Sequence, residues 1–447
     1  MTDKKPQLFS NRSASRQFLL YKTDAKPKKI KTTDTRLLAS ETLSKSFPKM
    51  LVGKALTDHA MAQIDACETF DAMVARIDAP TRNNDEADDR RDISRQVDVA
   101  ESIDDICKSE NGLWGQLDHG IFGCFFYQKD RTSAPQLAEK IQRHLADKGK
   151  ETVSIGIASF PTSNYKKNQI IDNAGKALDH AAFFGPNSTV PFDAVSLNIS
   201  GDKLYQESDI EGAIEEFKAA IHLDPSNVNV HNSLGVCYGT MTSYDKAMEA
   251  FKQAIRLDPE EAMALYNAGL VCMLQDKKDK ALEYFLDADS KEDGIFEVAL
   301  HIGIIYLEMK QLDQGKMFLE KAIKIRPDSG IAFRYLGECC MAMNRIDEAI
   351  LAYKTAIRKN PNDADSLSAL GYLFDLQGEN PEITTIFCQQ SVDIAPDNGL
   401  FRYRLGNLYL KRNQLDDALE QLQKADELGH DAKALIQKIK NLMADAN

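Results

Sequence analysis

The chain has 447 residues, of which 43% are hydrophobic and 28% are charged, and its formal net charge is −13. A single hydrophobic core does not extend over so many residues, so the length predicts two or three domains. The acidic balance argues against a nucleic-acid-binding protein, because contacts with phosphate groups require a basic face.

The first part of the chain, residues 1–39, is basic. Its first 36 positions contain ten Lys or Arg residues and three Asp residues, which predicts a flexible, solvated leader; contact with acidic lipid or a partner is the alternative. No apolar run reaches the roughly 18–20 residues that span a bilayer, and no secretory signal is evident. The eight cysteines form no C-x-x-C pair. They are expected to be free thiols in a reducing compartment, which predicts a cytoplasmic protein.

Strand-like and helix-like patterns alternate between residues 40 and 190. The predicted elements are strands at 70–77, 121–127 and 153–158 and helices at 134–145 and 170–184. The highly charged stretch 81–96 predicts an exposed loop or the start of a helix, and the segment 186–193 predicts a linker. Such an alternation of strands and helices is typical of an α/β sandwich.

Two motifs in this region point to a known family. The strand Val153–Ala158 reads V-S-I-G-I-A and is followed by the helix Ala174–Ala181, then by Gly185 and Asn187. This order resembles the end of a GGDEF domain, the diguanylate cyclase fold, in which a strand S-I-G-x-A precedes a helix and then G-x-N. The resemblance implies a degenerate α/β GGDEF-like domain of the nucleotidyl cyclase type over residues 40–190.

The residues that serve catalysis in that family are not preserved. The signature turn here comprises Asp118, His119, Gly120, Ile121 and Phe122, and only the phenylalanine matches the family's signature. Arginine also stands where the resemblance implies a first-strand metal ligand, and one carboxylate does not hold two magnesium ions against a triphosphate. We therefore expect no catalysis, no metal and no cofactor. A small metal or acid/base site at Asp118 and His119 is one interpretation, and solvated turn residues are the other.

The second half of the chain is periodic. Glycines recur at spacings of 34, 34, 34, 34, 34 and 35 residues, namely Gly201, Gly235, Gly269, Gly303, Gly337, Gly371 and Gly406. Two alanines, an aromatic residue and a proline recur with them, as in Ala247, Phe251, Ala254 and Pro259. The pattern resembles the tetratricopeptide repeat and implies an all-α superhelix, or solenoid, of seven helix pairs over residues 194–430.

Three further features of these repeats are expected. The aromatic residue is expected to fill the space between repeats. An extra residue near 377–381 is expected to alter one turn in repeat six. Residues 431–447 are expected to form a capping helix with Leu435, Ile436, Ile439 and Leu442 on its apolar side.

The resemblance also implies a concave groove lined by the first helix of each repeat. The corresponding positions are Asn232, Tyr266, Asn267, Leu270, Met273, Leu300, Ile304, Arg334, Tyr335, Met341, Tyr372, Tyr403, Arg404 and Asn407. This mixture of Tyr, Met and Arg suits an adaptable binding surface, although packing against a neighbouring helix is the alternative role for each residue. The Lys/Asn/Arg set with which some family members clamp a C-terminal carboxylate is not reproduced.

Together these observations predict a noncatalytic, cytoplasmic adaptor of bacterial origin. The repeats are expected to bind a peptide or helix of a partner protein, and the GGDEF-like domain to serve docking, regulation or formation of a homodimer. The alternative is a pseudo-enzyme that senses GTP or cyclic di-GMP without turnover. No nucleic acid and no transmembrane segment is expected.

Overall fold

The computed structural model describes residues 41–64, 67–78, 89–127, 133–148, 151–162 and 165–445. The predicted basic leader, residues 1–39, lies outside the described residues. The chain divides into two compact units, Met1–Pro259 and Glu260–Asn447. The first unit therefore contains the α/β domain with repeats one and two, and the second contains repeats three to seven.

A six-stranded sheet with the strand order β1-β3-β4-β2-β5-β6 forms the α/β domain. The strands are β1 (Leu51–Val52), β2 (Phe70–Ile77), β3 (Leu113–Asp118), β4 (Ile121–Phe126), β5 (Val153–Phe160) and β6 (Thr189–Pro191). The central strand β2 is antiparallel to β4 and to β5, and Met73 lies opposite Cys124 on one side and Ile157 on the other. Strand β1 pairs in parallel with β3, and β6 with β5.

Helices cover both faces of the sheet. They are α1 (Lys54–Ile64), α2 (Asp89–Ser109), α3 (Ala134–Asp147) and α4 (Ile170–Ala181). Successive side chains of a strand point to opposite faces: Met73 packs with residues of α2 and α3, and Val74 with residues of α1 and α4. At Gly156 an added Cβ would lie 2.1 Å from the carbonyl oxygen of Ala174, so α4 can rest on β5 only over a glycine.

The end of the α/β domain differs from the sequence prediction in two places. The helix predicted over 170–184 ends at Ala181, and a 3₁₀ turn follows at Ala182–Phe184. The predicted linker 186–193 instead contains strand β6, because Val190 is buried and the backbone bonds to β5 at Ile155 and Ile157. A proline is tolerated there because β6 is an edge strand.

The first repeat packs directly on helix α4 of the α/β domain. Lys176 donates a 2.6 Å hydrogen bond to Glu216 of the repeat, and the two side chains are 24% and 18% exposed. Asp193 caps the first repeat helix by accepting from the backbone N–H of Ser196 at 2.8 Å, and it lies 3.4 Å from His180. The α/β domain thus covers the end of repeat one, as a terminal repeat requires.

Each repeat consists of two helices. In chain order these are α5 (Ala194–Gln206), α6 (Ile210–Leu223), α7 (Val228–Thr240), α8 (Tyr244–Leu257), α9 (Ala262–Leu274), α10 (Lys278–Lys291), α11 (Phe296–Glu308), α12 (Leu312–Ile325), α13 (Gly330–Ala342), α14 (Ile346–Lys359), α15 (Ala364–Gln377), α16 (Pro381–Ile394), α17 (Gly399–Lys411) and α18 (Leu415–Glu427). The predicted seven pairs are confirmed. We call the two members of a pair its first and second helix.

The recurring glycine is the point where the two helices of one repeat touch. A Cβ added at Gly235 would lie 2.5 Å from the Phe251 ring of the same repeat. In the other six repeats the distance from the added Cβ to the side chain at the position of Phe251 is 2.5–2.8 Å. The aromatic residue therefore packs within its own repeat. It also reaches the next repeat, as predicted: the Phe285 ring lies 5.5 Å from His301 of repeat four, and Phe217 shares a buried cluster with Val230 and Leu234 of repeat two. The contact with the glycine of its own repeat was not predicted.

A left-handed residue connects the two helices of every repeat. These residues are Ser208, Thr242, Asp276, Lys310, Asn344, Gly378 and Asn413, all with φ between 57° and 71°. They keep the 34-residue spacing up to Gly378 and a 35-residue spacing from there to Asn413. The extra residue of repeat six therefore follows Gly378, where the chain reaches helix α16 at Pro381.

A last helix, α19 (Lys433–Asp445), closes the second unit. Ile439 is completely buried, and Leu435 and Ile436 pack beside it against Ala418 and Leu422 of α18. Leu442 is exposed, which corrects its prediction as part of the apolar side. All eight cysteines are free thiols, and only Cys67 is not buried.

Candidate functional site

The structure separates the fourteen predicted groove residues into two groups. The buried group comprises Asn232, Tyr266, Asn267, Leu270, Leu300 and Ile304. Five of these six belong to repeats three and four, where most residues of the first helix are buried. In α9, for example, eleven of the thirteen residues are buried. Their side chains offer no surface to a partner, because a helix that is hydrophobic all round belongs to a core.

The second group is accessible. It comprises Met273, Arg334, Tyr335, Met341, Tyr372, Tyr403, Arg404 and Asn407, of which Tyr372 is the most open and the others are half-buried. All except Met273 lie on the first helices of repeats five, six and seven. We call the surface of α13, α15 and α17 that carries Arg334, Tyr335, Tyr372 and Arg404 the arginine–tyrosine face.

Arg334 links the first helices of repeats five and six. Its Nη1 lies 2.7 Å from Asp365 and 3.6 Å from Asp363, and its guanidinium lies over the Tyr335 ring at 4.8 Å from the ring centre. Glu338 is 3.9 Å away on the same helix, and burial raises the pKa of its carboxyl. Acidic groups therefore already surround Arg334, which holds α13 and α15 together.

Arg404 links the first helices of repeats six and seven in a different way. Its Nη1 donates a 2.9 Å hydrogen bond to the Ser368 hydroxyl, and its guanidinium lies over the Tyr372 ring at 4.9 Å. No carboxylate of the described residues comes within 4.0 Å of it, and burial lowers the pKa of its guanidinium. A guanidinium has five N–H donors, so Arg404 retains donors beyond the one that the Ser368 hydroxyl accepts.

Several residues of this face escaped the sequence prediction. Asp365, Ser368 and Glu338 are contacts of the two arginines, and Lys411 adds a 2.6 Å ion pair to Asp375 between α17 and α15. These pairs are 31 and 36 residues apart, on either side of the repeat period. The period therefore contained a signal: Asp365 lies three residues before the equivalent of Arg334, and Ser368 and Asp375 lie one residue before the equivalents of Arg404 and Lys411.

The signature turn is a β-hairpin without converging acids. Gly120 has φ +68° between strands β3 and β4, and Asp118 accepts a 2.7 Å hydrogen bond from the backbone N–H of His119. The His119 ring lies 3.3 Å from the Gln96 amide, whose oxygen accepts from Gly120 N–H. Gln96, which sequence reasoning missed, fixes the turn to helix α2. Of the other two predicted turn residues, Ile121 begins strand β4 and Phe122 is completely buried.

Asp78, the residue directly after strand β2, makes hydrogen bonds within the protein. The Asp78 carboxylate accepts 2.7 Å hydrogen bonds from the Ser154 hydroxyl and from Asn187 N–H, while Arg76 lies 3.7 Å from Asp179. Within the described ranges no three His, Cys, Asp or Glu side chains are grouped as metal ligands. The Asp78 carboxylate is therefore engaged in hydrogen bonds within the protein.

Models of the tetratricopeptide repeat match most of the second half of the chain. One TPR repeat model matches residues 201–241, and two tetratricopeptide repeat models match 239–294 and 306–371 with 387–442. These residues are tetratricopeptide repeats, as the sequence pattern predicted. These matches begin at residue 201, so they leave the α/β domain without a family assignment.

Solved structures and one curated protein resemble this chain in part. YrrB, described as a TPR protein with an unusual peptide-binding site, is 19% identical, covers 41% of this chain and 95% of its own, and has a TM-score of 0.38. MamA is 28% identical, the match covers 37% of this chain and 96% of MamA, and the TM-score is 0.34. For pilF of Pseudomonas aeruginosa the identity is 20%, the match covers 47% of this chain and 95% of pilF, and the TM-score is 0.43. The human protein O-mannosyl-transferase TMTC1 is 23% identical over 142 residues, and the match spans only 16% of its length.

No helix in the described part of the chain combines the length and the apolar character that a membrane span requires.

Proposed function

We propose that the tetratricopeptide repeats of this chain make it a noncatalytic scaffold, and that the arginine–tyrosine face binds a segment of a partner polypeptide. Stacked repeats of this kind generally mediate protein–protein interactions. The single observation that carries the proposal is Arg404, a half-buried guanidinium that has a tyrosine ring and a serine hydroxyl as neighbours but no carboxylate.

The chemistry of the face defines the partner segment. Arg and Tyr are enriched among the residues that dominate binding energies, because each combines a large apolar surface with directional hydrogen bonds. An acidic group of the bound segment would compensate the charge of Arg404, and its apolar side chains would cover the exposed ring of Tyr372. We therefore propose a segment in which an acidic residue is accompanied by apolar residues.

For the α/β domain we propose a noncatalytic derivative of the GGDEF-like fold that closes the start of the repeats in a cytoplasmic protein. The position of the hairpin turn supports this interpretation, since Gly120 O accepts a 3.0 Å hydrogen bond from Ile77 N–H at the end of the central strand. Purified full-length protein given GTP and Mg²⁺ is expected to form no cyclic dinucleotide. Turnover would contradict this proposal. Binding of GTP or cyclic di-GMP, measured by calorimetry, would instead favour the alternative of a pseudo-enzyme that senses these nucleotides.

Affinity capture with the full chain tests the binding face. Arg404→Ala and Tyr335→Ala are expected to lose the proteins that the wild type retains, whereas Arg358→Ala, which removes an exposed arginine from the second helix of repeat five, is expected to retain them. Equal recovery by all four proteins would exclude the arginine–tyrosine face as the binding surface.

A further inference from the structure

The second helices of the repeats carry an unusual surface at one equivalent position. In repeats one, two, three and seven this position is an exposed glutamate, namely Glu215, Glu249, Glu283 and Glu420. In repeats four, five and six it is Met317, Leu351 and Ile386, which are 56%, 68% and 54% exposed. We call these three residues the apolar stripe.

The stripe crosses neighbouring helices of the second unit. Met317 lies on α12, Leu351 on α14 and Ile386 on α16, and the spacings of 34 and 35 residues follow the repeat period. Lys316, next to Met317, forms a 2.5 Å ion pair with Glu348, one turn before Leu351, so α12 and α14 lie side by side. A row of large apolar side chains that are this exposed to solvent indicates an interaction surface.

Charges on either side of the stripe are separated along the helices. The first turns carry acids, Asp313 on α12 and Asp347 with Glu348 on α14, and the last turns carry bases, Lys324 on α12 and Arg358 with Lys359 on α14. A second copy turned about a twofold axis along the stripe would place each helix antiparallel to its own equivalent. The acidic first turns of α12 and α14 would then face the basic last turns of the same helices in the second copy, and each stripe residue would face itself.

We propose that the apolar stripe is a self-association surface, on which two copies of this chain form a symmetric dimer. The pairing is isologous, with Leu351 opposite Leu351 at the centre. The opposite arrangement, in which α12 faces α16 in parallel, brings Asp313 to Glu382 and Asp347 to its own equivalent, and like charges disfavour it.

The expected strength follows from the size of the surface. Each helix of 14 residues is about 21 Å long, and three such helices about 10 Å apart give a surface that would bury about 1,000 Å² in total, at the lower end of specific interfaces. A dimer of this size dissociates in the micromolar range, so the monomer–dimer equilibrium is measurable by dilution.

Analytical ultracentrifugation of the full chain, from about 1 to 200 μM, tests the surface. The variant Met317→Glu/Leu351→Glu/Ile386→Glu gives repeats four to six the residue that the other four repeats carry, at positions that are exposed, and is expected to weaken dimerisation by about 100-fold. The control Leu376→Glu changes a leucine that is also 56% exposed but lies on the first helix α15, and it is expected to dimerise like the wild type. Far-UV circular dichroism confirms that both variants are folded.

A charge exchange and cross-linking test the antiparallel geometry. Asp347→Lys and Lys354→Glu, on either side of Leu351, are each expected to weaken self-association, whereas an equimolar mixture of the two proteins recovers it as a heterodimer. In a background without Cys67, the variants Met317→Cys and Ile386→Cys should each form cross-links with themselves and not with each other. A wild type that stays monomeric at 200 μM, or a glutamate triple variant that dimerises normally, overturns the proposal; cross-links only between positions 317 and 386 overturn its antiparallel geometry.

Discussion

Replacing Gly235 by alanine tests the packing that generates the repeats. Gly235 lies in the middle of α7, and an added Cβ would come within 2.5 Å of Cε1 of Phe251, which is completely buried. Carbon atoms pack favourably at about 3.5–4.0 Å, so the new methyl group overlaps the ring by about 1 Å. Three atoms of the ring, Cε1, Cδ1 and Cζ, lie within 2.9 Å of the added Cβ, so the whole ring must move to relieve the overlap.

Two opposing terms decide the result. Alanine is favoured over glycine inside a helix by about 1 kcal/mol, whereas overpacking a core costs about 1–3 kcal/mol. We expect the packing term to be larger and the free energy of unfolding to fall by about 1–2 kcal/mol. Gly175→Ala in α4 is the matched control, because nothing lies within 4 Å of its added Cβ, and it should raise the free energy of unfolding by about 0.5–1 kcal/mol.

Urea unfolding of the full chain measures both variants. Circular dichroism at 222 nm follows the helices, and fluorescence of Trp114, the single tryptophan, follows the α/β domain. Gly235→Ala should lower the midpoint observed by circular dichroism, and hydrogen exchange should accelerate in α7 and α8. If Gly235→Ala raised the midpoint as Gly175→Ala does, the glycine would not be a packing contact and the account of the repeats would be refuted.

Two further predictions concern charge. The His301 ring lies 5.5 Å from Phe285 and 5.7 Å from Tyr266, and burial lowers its pKa below the ordinary 6.5. Below about pH 6.5 the unfolded chain therefore binds a proton at this residue that the folded chain does not bind. The free energy of unfolding should fall as the pH drops through this range, by at most about 1.4 kcal/mol per pH unit from this group. Urea midpoints at pH 7.5 and 5.5 should differ less in His301→Phe, and an unchanged difference would contradict the assignment. Lys176→Glu should weaken the packing of repeat one on α4, because it leaves two half-buried carboxylates face to face. The expected result is faster proteolysis within residues 186–193, and the additional change Glu216→Lys should restore resistance. If it did not, the ion pair between residues 176 and 216 would not stabilise this contact.

The repeats were predictable because one packing problem is solved seven times. Gly235 and its equivalents identify the helix pairs, and Pro259 falls two residues beyond the end of α8. The position of Phe251 was predicted correctly, but its contact with Gly235 of its own repeat was not, since a period states which residues are equivalent but not which neighbours each one touches. The left-handed residues were not predictable either, because Lys310 and Thr242 have no preference for that conformation.

The candidate site was predictable in position and not in partners. Arg404 and Tyr372 were identified from the repeat, but the Ser368 contact crosses between repeats and depends on three-dimensional packing. Tyr266 was assigned to the groove because it shares the repeat position of accessible residues, although the apolar sequence around it encloses α9. Strand β6 was missed because a proline and a short apolar stretch usually indicate a linker.

The α/β domain shows the opposite limit. Its strands β2, β4 and β5 were predicted from apolar runs, and the helices α3 and α4 from their spacing. The role of Gln96 could not be read from the sequence, because a polar residue within a charged helix gives no sign that it is buried against a hairpin turn.

Photo-cross-linking from position 372 tests the central claim most directly. Full-length protein with benzoylphenylalanine in place of the exposed Tyr372 is expected to cross-link a different polypeptide in cells, and Arg404→Glu in the same chain should abolish that product. The same probe at Arg358, which is exposed on the second helix α14 and outside the arginine–tyrosine face, is the control and should not give it. A product at 372 that persists with Arg404→Glu, or equal products at both positions, would contradict the proposed binding face.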